Sequence, residues 1–354
     1  MKFAFNLKDW NNRGLIFVGA IMLVLLFAGP EIFDLFTLLK VILFIAMAML
    51  ALSLAFIWGF GGILCFGQSA FFGIGGYAYA IAVINMGEST IPILLAVFVP
   101  AAFAMLLGYF MFYGRLSDIY LAVVTLAVTL IFYAFMRSTS GPEYHIGNAR
   151  LMGFNGISAI PDPNWPGFPD AFLWPDDKFY VAMALLILVY FGLRILLRTH
   201  FGRVIVAIKE NETRAELLGY DVRFYKMMAF TIAGLGGFLL VTFNNFVNPD
   251  KFALALAAQI IMWVLIGGVG TLIGPMLGSL ALLMLNNWMG TQNFAGWLNT
   301  YLVFGAIIIF FVLAVPQGIQ PTAQLLALRF LPWTRPPPDD EQAAARARES
   351  AGND

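Results

Sequence analysis

Long apolar stretches alternate with short polar ones along most of the chain. The apolar stretches run for about 20 residues with few or no charges, which is the length an α-helix needs to cross a bilayer core about 30 Å thick. Ten such windows are present, at approximately 14–33, 36–58, 60–86, 91–113, 117–136, 179–198, 227–247, 252–268, 271–289 and 300–320. The pattern predicts an all-α, polytopic integral membrane protein with about ten transmembrane helices.

The polar segments differ from one another in character. Segment 137–178 is rich in Pro, Gly, Asn and Asp and is predicted to be a lid-like loop without regular structure. Segment 199–226 is basic and helical in its pattern. The tail 329–354, which combines a proline run with charged residues and alanines, is predicted to be disordered. Residues 1–328 therefore form the predicted transmembrane domain.

Composition narrows the class of protein. Hydrophobic residues make up 61% and charged residues 11% of the 354 positions, against roughly 45–50% and roughly 25% in soluble domains, which excludes a soluble globule. The net charge of zero gives no global field that would favour nucleic acid. The sequence has one cysteine and two histidines, and it contains no G-x-x-x-x-G-K-[ST] phosphate loop and no catalytic constellation. We therefore predict no metal site, no ATP bound by this chain and no enzymatic activity.

The positions of the charges predict the orientation, because Lys and Arg collect in cytoplasmic loops. With ten spans and a cytoplasmic N-terminus, fifteen of the 20 Lys and Arg residues lie inside and five outside. An odd number of spans would place either the basic segment 194–226 or the basic tail outside. We predict cytoplasmic N- and C-termini, a periplasmic loop at 137–178 and a cytoplasmic loop at 199–226.

The middles of the windows carry no Asp, Glu, His, Lys or Arg. Proton- and sodium-coupled carriers usually keep such a group near mid-membrane to bind the driving ion. Its absence argues against an ion-coupled carrier and indicates that energy for any transport enters from outside the membrane.

Neutral polar side chains within the windows are candidates for a translocation path. They are Gln68, Ser69, Thr125, Thr129 and Gln259. Gln68 and Ser69 stand out because seven glycines fall within 59–77. Such a density can unwind a helix, which is tolerated at membrane depth only where the backbone is buried or lines a cavity; close helix packing explains the glycines equally well. The alternative for each polar group is an ordinary hydrogen bond between helices.

Two further glycine features concern the boundaries between windows. The boundaries at Gly59 and at 267–270 are so short that either could be a re-entrant or broken helix. Gly270, Gly274 and Gly278 form a double G-x-x-x-G, which predicts close packing of helix backbones, with a gate as the less favoured alternative.

The most informative stretch is 202–220, in the predicted cytoplasmic loop. One helical face presents Asn211, Ala215 and Leu218, and Gly219 follows in the position of a helix stop. This pattern predicts a short, capped, charged helix suited to docking into a groove of a soluble partner. A solvated interfacial helix is the alternative.

The same stretch resembles a known family. Residues 207–212 (Ala-Ile-Lys-Glu-Asn-Glu), followed by 215–219 (Ala-Glu-Leu-Leu-Gly), look like the coupling-loop signature of permeases of branched-chain amino acid ABC importers, a family that also includes urea and short-amide importers. Co-linear blocks agree at 64–77, 120–127 and 267–278, so the resemblance covers roughly 40–318. It is closer to the longer, LivM-like permease subunit.

The resemblance implies a transport subunit of the bacterial cytoplasmic (inner) membrane that works within a complex. The partners would be a second permease subunit forming a heterodimer, two cytosolic ATPase subunits that bind ATP-Mg, and a periplasmic substrate-binding protein. The loop at 199–226 would contact an ATPase. The candidate coupling residues are Arg203, Lys209, Glu210, Asn211, Glu212, Ala215, Glu216, Leu218 and Gly219.

These features predict a permease that moves branched-chain or related amino acids into the cytoplasm. A urea or short-amide importer is the alternative, and a stand-alone secondary carrier is a weaker one. Neutral hydrogen-bonding groups suit any substrate without net charge, so the residues leave the substrate open. The stretch 140–156 keeps only a short Asn-Gly element of the family's Gly-rich segment, and we expect substrate docking to differ there from the best-known members.

Overall fold

The computed structural model describes residues 10–158, 160–234 and 245–291, together with 303, 305–307, 309, 318–320 and 322. Over these residues the chain is mostly helical. The helices are α1 (Trp10–Ile32), α2 (Leu35–Leu54), α3 (Gln68–Met86), α4 (Thr90–Gly108), α5 (Asp118–Ser138), α6 (Pro175–Arg198), α7 (His200–Glu210), α8 (Glu212–Leu217), α9 (Val222–Gly234), α10 (Leu254–Gly267) and α11 (Ile273–Thr291). Each predicted window up to residue 289 contains a helix over its described part. The window 300–320 lies mostly, and the tail 329–354 entirely, outside the described residues.

Several helices are long and apolar enough to cross a membrane. Those found over the described residues are Leu35–Phe60, Gln68–Met86, Thr90–Tyr113, Asp118–Ser138 and Pro175–Arg198. The first and third of these are α2 and α4 extended by π-helical turns, Ala55–Phe60 and Tyr109–Tyr113. Shorter apolar helices, Val18–Ile32 and Leu254–Gly267, accompany them. The chain is a polytopic membrane protein, as predicted.

Helix α2 lies among the other helices rather than at their surface. Its sequence is apolar on every side, a pattern typical of a helix surrounded by protein, and every side chain from Ile45 to Leu54 is buried. It packs against α6, α10 and α11. Helices α5 and α6 instead leave most of their apolar surface uncovered, as expected of helices that face lipid.

The predicted window 60–86 contains a non-helical stretch near its start and is helical from Gln68 onward. After the π-helical turn, residues 61–67 are not helical, and α3 begins only at Gln68. Gly62 has a φ of +73°, a conformation that residues with a side chain adopt only with strain. We call residues 61–67 the break. Unwinding explains the glycines within it. Packing explains Gly73, where a Cβ atom would lie 2.5 Å from the ring of Phe252.

The glycines at 270, 274 and 278 have two different roles. Gly270 lies in the turn between α10 and α11 with a φ of +91°, and its backbone nitrogen lies 2.7 Å from the place where Gly59 would carry a Cβ. Gly274 and Gly278 lie in α11 directly against the backbone of α10. Close helix packing describes these two, whereas Gly270 is a turn residue.

Segment 137–178, called the outer loop below, contains regular structure, so the prediction of a loop without it is wrong. Two short antiparallel hairpins are present: β1 (His145–Ile146) with β2 (Ala149–Arg150), and β3 (Asn164–Trp165) with β4 (Phe168–Phe172). Gly147 and Gly167, both with positive φ, lie at the two turns. Two of the five glycines that suggested an irregular loop lie at hairpin turns, and the fold is mostly helical rather than all-α.

Hydrogen bonds between distant segments sort the helix ends into two faces. At one face, segment 199–226, which we call the inner loop, contacts the π-helical turn that precedes the break. The other face brings the outer loop to 85–90 and to 245–248. Helix α3 runs from the first face to the second, a distance of about 28 Å at 1.5 Å per residue.

Candidate functional site

Helix α8 begins at a side-chain cap. Asn211 is in an extended conformation, with a φ of −160°, and its Oδ1 accepts a hydrogen bond from the backbone N–H of Arg214 at 2.8 Å. A cap of this kind satisfies one of the amides that the first turn of a helix leaves free. Asn211 is therefore a structural residue of the inner loop.

Helix α8 ends in a Schellman motif. The N–H of Gly219 donates to the carbonyl of Glu216 at 2.9 Å, and the N–H of Tyr220 donates to the carbonyl of Ala215 at 3.2 Å. Gly219 has a φ of +88°, which a residue with a side chain adopts only with strain. The predicted helix stop is present at Gly219, and it fixes the direction in which the chain leaves α8.

The end of α8 presents two apolar side chains outward. Leu217 is 84% and Leu218 is 70% exposed. Ala215 and Leu218 were predicted to share a helical face, but Ala215 is buried and Leu218 is exposed. They do not share a face because Leu218 lies beyond the last helical residue. Leu217 was not among the predicted coupling residues; the pair of leucines immediately before the glycine stop is the signal that would have revealed it.

An ion pair anchors the start of α8 to α9. Lys226 Nζ lies 2.6 Å from Glu212 Oε2, and the lysine side chain is only 11% exposed. Glu212 and Glu216 also border a cavity of about 340 Å³, together with Arg115, Asp118 and Arg223. Of the predicted coupling acids, Glu212 thus holds α8 in place, and Glu216 is exposed.

The three predicted coupling residues on α7 are all exposed, but they differ in their contacts. Lys209 Nζ donates a hydrogen bond to the backbone carbonyl of Gly59 at 2.8 Å. Arg203 and Glu210 lie on the same helix at the surface. Helix α7 itself is held by Val204, Ile205 and Ile208, which are buried.

Buried polar groups gather where the break meets α3. Gln68 and Ser69, the first residues of α3, are 2% and 0% exposed. Gln68 Oε1 accepts a hydrogen bond from Ser53 Oγ at 3.1 Å. Gln68 Nε2 and Ser69 Oγ have no hydrogen-bond partner among the described residues. Because buried polar groups in native proteins are almost always paired, these two atoms mark a place where a substrate or water could bind.

The two predicted threonines of the path are hydrogen-bonded within the protein. Thr125 Oγ1 accepts from the backbone N–H of Phe66 at 3.2 Å and donates to the carbonyl of Ala122. Thr129 Oγ1 donates to the carbonyl of Thr125 at 2.8 Å. The structure therefore brings Thr125 to the break, while Thr129 forms a bond within α5. Gln259 lies partly buried on α10.

Polar contacts also hold the outer loop. Asp162 Oδ1 accepts a hydrogen bond from Asn245 Nδ2 at 2.7 Å and forms an ion pair with Lys178 Nζ at 2.6 Å. The hydrogen bond from Asn245 and the ammonium of Lys178 lower the pKa of the Asp162 carboxyl below its usual value. Over the part of the chain that the structure describes, no cluster of three or more metal-ligating side chains occurs.

The described residues form a multi-pass helical membrane protein, with buried neutral polar groups at the start of α3 and a capped helix displayed at one face. Comparison with known proteins places it in a family. The family model of the branched-chain amino acid transport system permease component matches residues 36–312. The chain therefore belongs to this family of ABC permeases. It is a multi-pass transport subunit of the cytoplasmic membrane.

Curated relatives agree with this family. The chain is 29% identical over 322 residues to the high-affinity branched-chain amino acid transport system permease protein LivM of Escherichia coli (strain K12), with 85% of this chain and 71% of that protein covered. It is 30% identical over 291 residues to the LivM protein of Salmonella typhimurium, with 77% and 67% covered. A shorter similarity, 34% identity over 131 residues, relates it to the autoinducer 2 import system permease protein LsrC of Enterobacter sp. (strain 638), with 34% and 38% covered. No solved structure matches the chain.

Proposed function

We propose that the chain is the LivM-like permease subunit of an importer that moves branched-chain or related amino acids into the cytoplasm. A second permease subunit would complete a heterodimer, and two cytosolic ATPase subunits that bind ATP-Mg would supply the energy. A periplasmic binding protein would deliver the substrate. The observation that carries this proposal is the rigidly capped helix α8, which holds Leu217 and Leu218 out from the protein.

Exposed leucines on a polar, capped helix favour a protein partner. Burial of a leucine side chain contributes about 1.5–3 kcal/mol, and the cap at Gly219 keeps both leucines in a fixed position, so that little ordering is needed on binding. The exposed Arg214 and Glu216 would form a polar rim around them. An ATPase groove lined with apolar residues is the partner that fits.

The two faces of the structure support the proposed topology of ten spans with both termini in the cytoplasm. Residues 1–328 would form the transmembrane domain, with the inner loop cytoplasmic, the outer loop periplasmic and 329–354 a disordered cytoplasmic tail. Under this topology the charged inner loop faces the ATPases and the hairpins of the outer loop face the binding protein.

Gln68 and Ser69 are the proposed centre of the translocation path, with Thr125 bonded to the nearby Phe66 and Gln259 on α10 as a further candidate. The unpaired amide Nε2 of Gln68 and hydroxyl of Ser69 suit a zwitterionic or neutral substrate. Amino acids are preferred over urea or short amides because the relatives matched over most of their length are named for branched-chain amino acid transport. Thr129 bonds within its own helix and is the weakest candidate.

Uptake by the reconstituted complex tests this function. Proteoliposomes that contain the chain, the second permease and the ATPases are supplied with binding protein and labelled leucine or urea. We expect uptake of leucine that requires ATP. The double variant L217A/L218A should lose most of this uptake and should no longer copurify with the ATPases, while L188A, at another exposed leucine on α6, should behave as wild type. Uptake by the chain alone without ATP, or uptake of urea in place of leucine, would contradict the proposal.

A further inference from the structure

Lys209 turns its ammonium group back onto the transmembrane helices. Its Nζ donates a 2.8 Å hydrogen bond to the carbonyl of Gly59, which lies 150 positions earlier in the chain. Gly59 belongs to the π-helical turn that ends the 26-residue apolar helix Leu35–Phe60. The last carbonyls of a helix have no partner within it and form the negative end of its dipole. Lys209 therefore satisfies a carbonyl that the helix leaves free and places a positive charge at its negative end.

The aliphatic part of Lys209 lies directly on the break. A Cβ atom on Gly62 would be 3.0 Å from Lys209 Cγ and 3.5 Å from Lys209 Cβ, so the side chain packs against the backbone of Gly62. Lys209 thus contacts the start of the break twice, through its charged end and through its methylene groups.

The far end of the break is connected to the candidate path. The N–H of Phe66 donates to Thr125 Oγ1 at 3.2 Å, and α3 then begins at Gln68, which bonds Ser53. Along the chain, residues 63–67 connect Gly62 to Gln68. The segment held by Lys209 therefore leads straight to the unpaired polar groups of the path.

On the cytoplasmic side, only Glu210 and Asn211 separate Lys209 from α8. The N–H of Asn211 donates to the carbonyl of Ala207 at 3.0 Å, and the Asn211 side chain caps α8. Helices α7 and α8 are thus joined by a short, hydrogen-bonded link. We infer that Lys209 is a positioning residue that connects the ATPase-docking helix α8 to the break, so that movement of α8 displaces the break and the path directly. This inference rests on the proposed function.

Replacement of the ammonium group tests the link in the full complex. K209M keeps the methylene groups and removes the charge. We expect the ATPases to copurify with K209M in the wild-type ratio and to keep their turnover, while leucine imported per ATP falls about five- to tenfold, a size typical of coupling between sites. K209R keeps a cation and should retain most of the coupling. K40M is the matched control, because Lys40 lies on the same helix as Gly59, where its Nζ is 4.1 Å from the centre of the Phe36 ring.

The reactivity of Cys65 gives a second measurement. If Lys209 had a purely structural role, its replacement would not change how this reactivity depends on nucleotide. It is the single cysteine of the chain and lies buried within the break. Alkylation by N-ethylmaleimide, followed by mass spectrometry of the Cys65 peptide, should differ between complexes without nucleotide and complexes with a non-hydrolysable ATP analogue. In K209M this difference should disappear.

The outcomes separate the link from the function on which it depends. A wild-type complex that hydrolyses ATP without importing substrate overturns the proposed function, and the link with it, before any variant is compared. In a coupled wild-type complex, the link is overturned if K209M matches wild type in import per ATP and in Cys65 alkylation. It is also overturned if Cys65 reacts equally in all nucleotide states of the wild type, or if K209R is as uncoupled as K209M.

Discussion

The inner loop and the outer loop each hold a nearly buried lysine against a carboxylate at 2.6 Å, Lys226 with Glu212 and Lys178 with Asp162. The surroundings of the two pairs differ. In the inner loop the other bonds are local, such as the one that Asn211 Oδ1 accepts from the amide three residues later, apart from the bond that Lys209 donates to Gly59. In the outer loop the bonds reach far along the chain. Asp162, for example, accepts from Asn245, 83 positions away.

This difference suits two different tasks. A locally bonded helix such as α8 can move as a unit without breaking its own caps, which is what a helix driven by a partner requires. A loop held by bonds to several distant elements is fixed to the helices it covers and moves only with them. We expect disruption of the inner loop to affect energy coupling, and disruption of the outer loop to affect mainly its own stability.

The largest effect is expected from removal of the two carboxylates. In E212Q and in D162N, a lysine side chain that is 11% or 8% exposed loses its anionic partner, which costs about 1–3 kcal/mol. E212Q should detach the start of α8 from α9 and lower import per ATP about tenfold. D162N should loosen the outer loop and leave import per ATP within about twofold of wild type.

Each carboxylate variant serves as the control for the other, since both exchange a carboxylate for an amide beside a lysine. Coupled uptake and protease sensitivity of each loop are measured on the same reconstituted complexes. Equal losses of coupling in E212Q and D162N would show that the two loops do not divide their tasks in this way.

A smaller effect is expected at two glycines with nearly the same φ. Gly219, after α8, has a φ of +88°, and Gly167, in the β3–β4 turn, has a φ of +85°. No atom lies within 4 Å of the place where either would carry a Cβ, so alanine adds only backbone strain, about 1–2 kcal/mol at each site. G219A should redirect the chain after Leu218 and lower ATPase binding several-fold, while G167A should not change it.

Thermal unfolding and copurification with the ATPases distinguish the effects of the two glycine variants. The unfolding temperature should fall by a similar amount in both, because the added strain is similar. If G167A weakens ATPase binding as much as G219A does, general destabilisation rather than the geometry of α8 is responsible.

How much the sequence predicts follows from the same difference between local and distant bonds. The helix stop at Gly219 is predictable because its motif lies within a few consecutive residues. The hairpins of the outer loop are not, since their turns are positioned by distant partners. The N–H of Asn148 donates to Asn85, 63 positions earlier, and the N–H of Gly167 donates to Thr90, 77 positions earlier. The contact of Lys209 with Gly59 spans 150 positions, and a pattern of spacings along one segment contains no information about it.

The glycines of 59–77 are predictable only in part, because both local and distant contacts determine their roles. Their density predicts either unwinding or close packing, and both occur in the same stretch, at Gly62 and at Gly73. Packing depends on Phe252, which belongs to a distant segment, so the residues around each glycine could not decide between the two. Gln68 and Ser69 could be predicted as a polar pair, but whether Gln68 Nε2 and Ser69 Oγ find partners depends on every helix around them.

The smallest expected effect is the acid sensitivity of the outer loop. Asn245 and Lys178 lower the pKa of Asp162, so the ionised form is the one that stabilises the fold. This stabilisation is fully present above the unfolded pKa of about 3.9 and is lost as the pH falls from there through the lowered pKa of the folded state. Because the Asp162 side chain is half exposed, the loss should be modest. Hydrogen exchange at the amides of Ile157 and Leu173, which bond Val247 and Pro163, measures it after correction for intrinsic rates. Protection should decrease in wild type as the pH falls below the unfolded pKa of about 3.9 and stay flat in D162N, and the same decrease in both would show that another group anchors the outer loop.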